Sequence, residues 1–293
     1  MIRRPAIHFG LFLLTVFTTL LVGAGFEHDF LRGDPVSLDH TFNLFFRVGH
    51  EPSLLLAGVP YSLTLMAILL AHEFGHYFAC RYHGIHATLP YFLPAPTLIG
   101  TFGAFIWIRS PIYTRRALFD VGVAGPIAGF ILILPALVSG VAMSKVIPGV
   151  ALHGDIIFGT PLIMQLFERI FFPGISAADI SLHPVARAAW AGLLATALNL
   201  LPIGQLDGGH ILYAFFGEKH RWLSRLFIFA LIPLGIFYSW SWLAWAAILF
   251  FVARRHPVIF DQSKPGRIRT ILGWASLAIF LFSFTPIPAR VGI

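Results

Sequence analysis

Two histidines and a glutamate, His72, Glu73 and His76, stand in an HExxH arrangement within the stretch Leu69 to Cys80. On an α-helix, positions i and i+4 share one face a turn apart, so both imidazoles can grip a single metal ion. Glu73, beside the first histidine, is placed to take a proton from a water activated at that metal. HExxH alone is a common chance match, and here its surroundings carry the weight. No charged residue occurs from Pro52 to Ala71, and the chain continues apolar from Phe74 to Cys80. An ionisable residue within such a span is costly to keep and marks function.

A catalytic zinc site usually takes three protein ligands and leaves a fourth position open. The single cysteine, Cys80, excludes an internal disulfide and any Cys-rich zinc module, so the ligands must be histidine and carboxylate. Only Glu73 and Asp207 are acidic, well inside apolar runs and away from basic neighbours. Asp207 is therefore the candidate third ligand. It lies in Asn199-Leu-Leu-Pro-Ile-Gly-Gln-Leu-Asp-Gly-Gly-His210, where Pro202 and Gly204 break a helix and free backbone groups at membrane depth. Asn199 either donates a hydrogen bond to a peptide backbone or developing oxyanion, or ties down the broken helix. His210 either supports Asp207 from behind or packs. His83 and His86 form an HxxH in a juxtamembrane loop, where solvated or interfacial roles are expected. Cys80 reads as packing.

The elements that must hold these groups are membrane helices. Charged residues are 11% and apolar residues 57% of 293, against roughly 25% and 45–50% in soluble domains. Mean hydropathy is +0.81. The fold class expected is an all-α polytopic membrane protein of about 6–7 transmembrane helices, with a short membrane-associated β-strand or hairpin near the site. The net charge of +7 comes from cations at span ends, which fits the positive-inside rule better than nucleic-acid binding. Apolar runs begin near Phe9, Leu54, Arg115, Ala188, Trp222 and Ile268. The first is either a retained helix or, less in keeping with its length, a signal peptide. Pro60 is expected to kink the second, and Tyr238–Trp242 to divide the fifth into a hairpin. Gly122, Gly125 and Gly129 in the third read as close helix packing. The segment His83 to Pro111 carries Pro90, Pro94, Pro96, Gly100 and Gly103 and cannot be one helix; Thr101–Ile108 favours extended backbone. Loops assigned to the inner side hold 14 of the 20 Lys and Arg residues, with the N-terminus inside. The site then sits in the bilayer, nearer the cytoplasmic face of a prokaryotic inner membrane or an equivalent organelle membrane.

Taken together, HExxH on one apolar span and Asn199, Pro202, Asp207 and Gly208 on a later one resemble the site-2 protease family of intramembrane zinc metalloproteases, known for HExxH and NxxPxxxxDG in that order. The likeness covers about residues 54–217. It implies one Zn2+ per chain on His72, His76 and Asp207, with Glu73 activating water. It also implies cleavage within the bilayer of a transmembrane protein substrate, often after another protease has trimmed it. The expected organisation is one membrane protease domain over 1–293, with peripheral helices in 1–53 and 218–293 and without the PDZ or C-terminal regulatory domain of many family members. A membrane-embedded metal transporter and a non-haem iron oxygenase are the alternatives. The oxygenases need paired histidines, and this sequence has none.

Overall fold

Long apolar runs give this chain its helices, and its prolines and glycines set where they stop. The computed structural model describes residues 5–252, 259, 261, 263 and 265–291. Of the inner-loop cations counted above, Arg3, Arg4, Arg254, Arg255 and Lys264 lie outside the described residues. In chain order come α1 (Pro5–Arg32), α2 (Leu38–Val48), α3 (Val59–Tyr82), the hairpin β1 (Tyr91–Pro94) and β2 (Thr101–Phe105), and α4 (Arg115–Ala142). Next are β3 (Lys145–Val146), β4 (Ile156–Phe158), α5 (Leu162–Phe171) and β5 (Ile180–Ser181). The last are α6 (Pro184–Asn199), α7 (Asp207–Phe216), α8 (His220–Phe237), α9 (Ser241–Val252), α10 (Arg267–Ser283) and β6 (Ala289–Val291). β1 pairs with β2, β3 with β5 and β4 with β6, all antiparallel.

Four stretches are long and apolar enough to cross a membrane: Pro5–Arg32, Pro52–Tyr82, Arg115–Ala142 and Asp207–Phe237. The chain is an integral membrane protein. The helix spanning 184–199 has 16 residues and α10 has 17, both below the ~20 that a bilayer core requires of one straight helix. Pro60 does not kink α3. A 3-10 turn over Pro52–Gly58 precedes the helix, and Pro60 occupies its first turn, where the missing N–H would have no partner anyway. The division between α8 and α9 falls at Tyr238–Trp240, as the sequence implied.

The central element is α4, which packs against α3, α6, α7 and α10. Small residues make these approaches possible. A methyl group on Gly140 would strike the backbone of Ala186 in α6, and one on Gly192 would press on Ile68 and Ile133. Around these crossings lies the main core, with Leu65, Ile68, Ile133, Leu137, Ala189 and Leu193 all buried. Pro126 and Pro135 lie inside α4, where each removes one helix hydrogen bond, a loss tolerated in a bundle of packed membrane helices. On the other side, α1 is bonded into the fold: Thr19 Oγ1 lies 2.7 Å from Ser62 Oγ, and Thr18 donates to the Gly100 carbonyl at 2.6 Å.

The amphipathic α5 exposes Leu162, Leu166 and Ile170 along one stripe and buries Ile163, Met164 and Glu168 on the other. Burial pushes the Glu168 carboxyl up from 4.5 to about 7. The folded chain thus keeps this proton to about pH 7, while the unfolded chain releases it near 4.5. The stability that proton carries is complete below 4.5 and is lost as pH rises through 7. Glu168→Gln is expected to melt above wild type at pH 8 and level with it at pH 4, read from thermal unfolding in detergent. A variant that melts lower at pH 8 would show that the ionised carboxylate is stabilising.

Candidate metal centre

The HExxH run lies in the second half of α3, and its ligand face is turned toward α4 and toward Asp207 at the start of α7. From His76 to the end of α3 at Tyr82 is about 9 Å at 1.5 Å per residue, and from Val59 to His72 about 20 Å. The pair therefore sits inside the span and closer to the end that carries Arg81 and faces Arg115 and Arg116 at the start of α4. His72 and His76 are each 6% exposed and Glu73 is 4% exposed.

Asp207 arrives from the broken helix. α6 stops at Asn199, the chain turns through Pro202 and Gly204 (φ +54°), and Asp207 is the first residue of α7. The break is stabilised locally: Ile203 N–H donates to Leu201 at 2.7 Å, and the Ser224 hydroxyl donates to the Pro202 carbonyl at 3.0 Å. Gly208 permits the turn to close, since a Cβ there would strike the Leu200 carbonyl.

Three ligand atoms converge. His72 Nε2 and His76 Nε2 are 3.1 Å apart, and each is 3.3 Å from Asp207 Oδ2. Tetrahedral coordination with bonds of about 2.0 Å puts neighbouring ligand atoms roughly 3.3 Å apart, so the triangle has the size a zinc ion needs. The protonation pattern agrees. His76 Nδ1–H donates to the Val121 carbonyl at 2.7 Å, which leaves Nε2 with its lone pair facing the other two ligand atoms. Lone pairs gathered on a buried carboxylate and two imidazoles suit a shared cation, which would offset the cost of burying them. The same residues therefore fit a His-His-Asp zinc centre with an open position. Glu73 receives the backbone N–H of Ile106, just beyond β2, which ties the extended segment to the glutamate. Asn199 Nδ2 lies 3.2 Å from His72 Nε2, at the same centre.

Several contributors carry no signal that HExxH reading would detect. Gly75 lies under Ala124 and Gly125 of α4, and a Cβ at Gly125 would occupy the place of the His76 ring. Gly129 faces the His72 ring at 3.3–3.7 Å from a notional Cβ. The glycines of α4 thus seat the two imidazoles, where the sequence favoured helix packing over a direct role at the site. His83 donates to Asp120 Oδ2 at 2.8 Å, and Arg269 of α10 grips the same carboxylate through two nitrogens at 2.7–2.8 Å. His83 is thereby part of an ion-paired clasp across α3, α4 and α10, away from the metal. His86 is exposed, with its backbone N–H held by the Ser110 hydroxyl. The Cβ of His210 packs on Gly122 one turn beyond Asp207, and Cys80 is fully buried beside Ile85 and Val121.

With this geometry in place, comparison with known proteins decides the family. The model of Peptidase family M50 matches residues 60–241, well over half of the chain. The chain belongs to peptidase family M50. Its members include the site-2 proteases that the two motifs resemble. The chain is 30% identical over 291 residues to probable zinc metalloprotease EGY1, chloroplastic, of Oryza sativa subsp. japonica, covering 95% of this chain and 49% of the relative. It is 31% identical over 286 residues to probable zinc metalloprotease EGY2, chloroplastic, of Oryza sativa subsp. indica, covering 94% and 49%. The Arabidopsis thaliana EGY1 protein matches at 28% over 242 residues, covering 79% and 43%. The M50 chain described here spans about half the length of these curated relatives.

Seating the imidazoles on glycine gives a sharp test. Gly125→Ala is expected to displace His76 and weaken zinc binding by about 10–100-fold, the usual cost of disturbing a ligand's support. Gly10→Ala, where a methyl would meet nothing within 4 Å, serves as the control and should bind as wild type does. Equal zinc affinity in all three proteins would remove Gly125 from the site.

Proposed function

We propose that this M50 chain is an intramembrane zinc endopeptidase that hydrolyses peptide bonds within or beside transmembrane segments. The observation that carries the reading is the convergence of two imidazole nitrogens and one carboxylate oxygen on a buried point, with a second carboxylate next to it on the same helix. In this reading His72, His76 and Asp207 hold one zinc. When bound, zinc supplies Lewis-acid polarisation of the scissile carbonyl and lowers the pKa of a water to about 7. Glu73 takes the proton of the attacking water and returns it to the leaving amine. The amide of Asn199 cannot share the His72 Nε2 lone pair with a metal, so it turns to the substrate carbonyl or its developing oxyanion.

A helical substrate must unwind before its backbone can reach this centre. The hairpin supports a way to hold it: β2 leads directly to the amide that touches Glu73, and the exposed Phe102 and Phe105, with Trp107 just beyond the strand, offer an apolar landing. A substrate strand added to β2 would present its bonds to the glutamate. In this reading the substrate is a transmembrane protein already trimmed by another protease. For topology we favour seven crossings with the N-terminus on the cytoplasmic side, in which α6 and α7 together make one crossing and α8, α9 and α10 one each. The basic ends of α3 and α4 support a site nearer the cytoplasmic face. A prokaryotic inner membrane fits that polarity, as does an organelle membrane of the kind the chloroplastic relatives' names indicate. A transporter has no specific need for a glutamate directly after the first ligand, so the protease reading stands ahead of it.

Purified protein is tested on a single-span reporter substrate. Glu73→Gln should keep its zinc and lose cleavage by roughly 10²–10⁴-fold, the usual share of a general base. Retained cleavage would remove Glu73 from the reaction. If a substrate strand pairs with β2, N-methylation of alternate reporter amides near the cut should slow turnover with a two-residue period. Indifference at every position would set the strand-addition step aside.

A further inference from the structure

A second group of metal-binding side chains lies at the opposite end of the bundle from Arg81. His28 and Asp29 close the last turns of α1, and His40 opens α2. Among the described residues, these three and the catalytic trio are the clusters whose ligand atoms all fall within 4.8 Å of one another. Asp29 Oδ1 lies 2.7 Å from His40 Nδ1 and 3.5 Å from His28 Nδ1. These separations bracket the roughly 3.3 Å edge of a tetrahedral zinc site. The two rings meet edge to face with centroids 5.1 Å apart, much as His72 and His76 do at 4.8 Å.

The cluster also has the support and the opening that a metal centre requires. Asp29 is 3% exposed at its side chain, and its second oxygen accepts the Ser37 backbone N–H at 3.0 Å, so the carboxylate is oriented before anything binds. Below it, Gly25 lets Thr41 close against α1, which fixes the angle between the two helices. The histidines are 27% and 37% exposed, leaving an aqueous side from which an ion can enter and a water can complete the coordination. The cation facing Asp29 from α6 is Arg187, whose guanidinium lies over the Phe26 and Phe158 rings and donates to the Leu182 carbonyl. Its positive charge opposes a second cation beside Asp29, so this centre binds more weakly than the buried trio.

We propose that His28, Asp29 and His40 form a second, solvent-facing site for a borderline divalent cation of the zinc class, chosen by two imidazoles and one carboxylate. Metal there staples α1 to α2. Both elements pack on the Pro52–Gly58 turn from which the HExxH helix starts, so occupancy stiffens that end of the bundle.

The test uses the full chain in detergent, dialysed to equilibrium against zinc chloride in a metal buffer, with bound zinc counted per chain. Wild type should take two zinc ions, and His40→Ala and His28→Gln one each. The His72→Ala/His76→Ala double variant should also keep one. His28→Gln leaves the shorter Asp29–His40 hydrogen bond in place, so its melting temperature in chelator should match wild type, while the zinc-dependent rise in melting should shrink. A wild-type chain that saturates at one zinc would overturn the proposal, as would His28→Gln and His40→Ala chains that still bind two. In either case the cluster is a hydrogen-bonded tie between α1 and α2.

Discussion

Everything at the centre of this protein depends on how closely α4 approaches α3. At Gly75 the two helix backbones come near enough that a single methyl group would strike Ala124 and Gly125. That glycine lies between Glu73 and His76, inside the motif itself. The same approach brings the Val121 carbonyl to His76 Nδ1 and places Gly125 and Gly129 under the imidazoles. One packing contact thus sets both the orientation and the protonation of the ligand face. A side chain at Gly75 would push the two helices apart, and one at Gly125 would displace the His76 ring.

The second constraint is electrostatic. Taking an isolated carboxylate out of water costs several kcal/mol even after the protein relaxes, and one ordinary hydrogen bond returns only about 1 kcal/mol. Asp207 and Glu73 both lie among apolar helices, so each needs more than a hydrogen bond. For Asp207 the offset includes the pair of imidazoles 3.3 Å away. For Glu73 it includes the Ile106 amide, which commits the strand segment to that side of the bundle. The helix break between α6 and α7 follows from the same logic. It frees the chain to present Asp207 at a helix start, where the unpaired N–H groups favour negative charge.

Much of this was legible in the sequence because costly residues advertise themselves. A carboxylate in an apolar run, a proline and glycine pair inside a helix, and a tract of alternating β-branched and aromatic residues each violate a membrane helix, and each lies at or beside the site. The hairpin at 91–105, the break at 200–206 and the pairing of Asp207 with His72 and His76 all came from such violations. What remained hidden obeys the rules of packing and leaves no such mark. The glycines of α4 look like any close-packed helix, and the clasp of His83 and Arg269 on Asp120 joins residues far apart in sequence. Pro60 was misread because proline kinks a helix only when a turn precedes it. Counting by length and apolarity alone stops at four spans, because α6 and α10 have only 16 and 17 residues and are placed by the helices packed around them.

The central claim is that one zinc ion sits where α3 and α7 meet under α4. An anomalous-difference map, collected at the zinc edge from crystals of the full chain, addresses it directly. The account expects a peak within about 2.0–2.2 Å of the Nε2 atoms of His72 and His76 and of an Asp207 carboxylate oxygen, with no sulfur ligand. A peak coordinated by other residues, or by the histidines with Asp207 turned away, would contradict it.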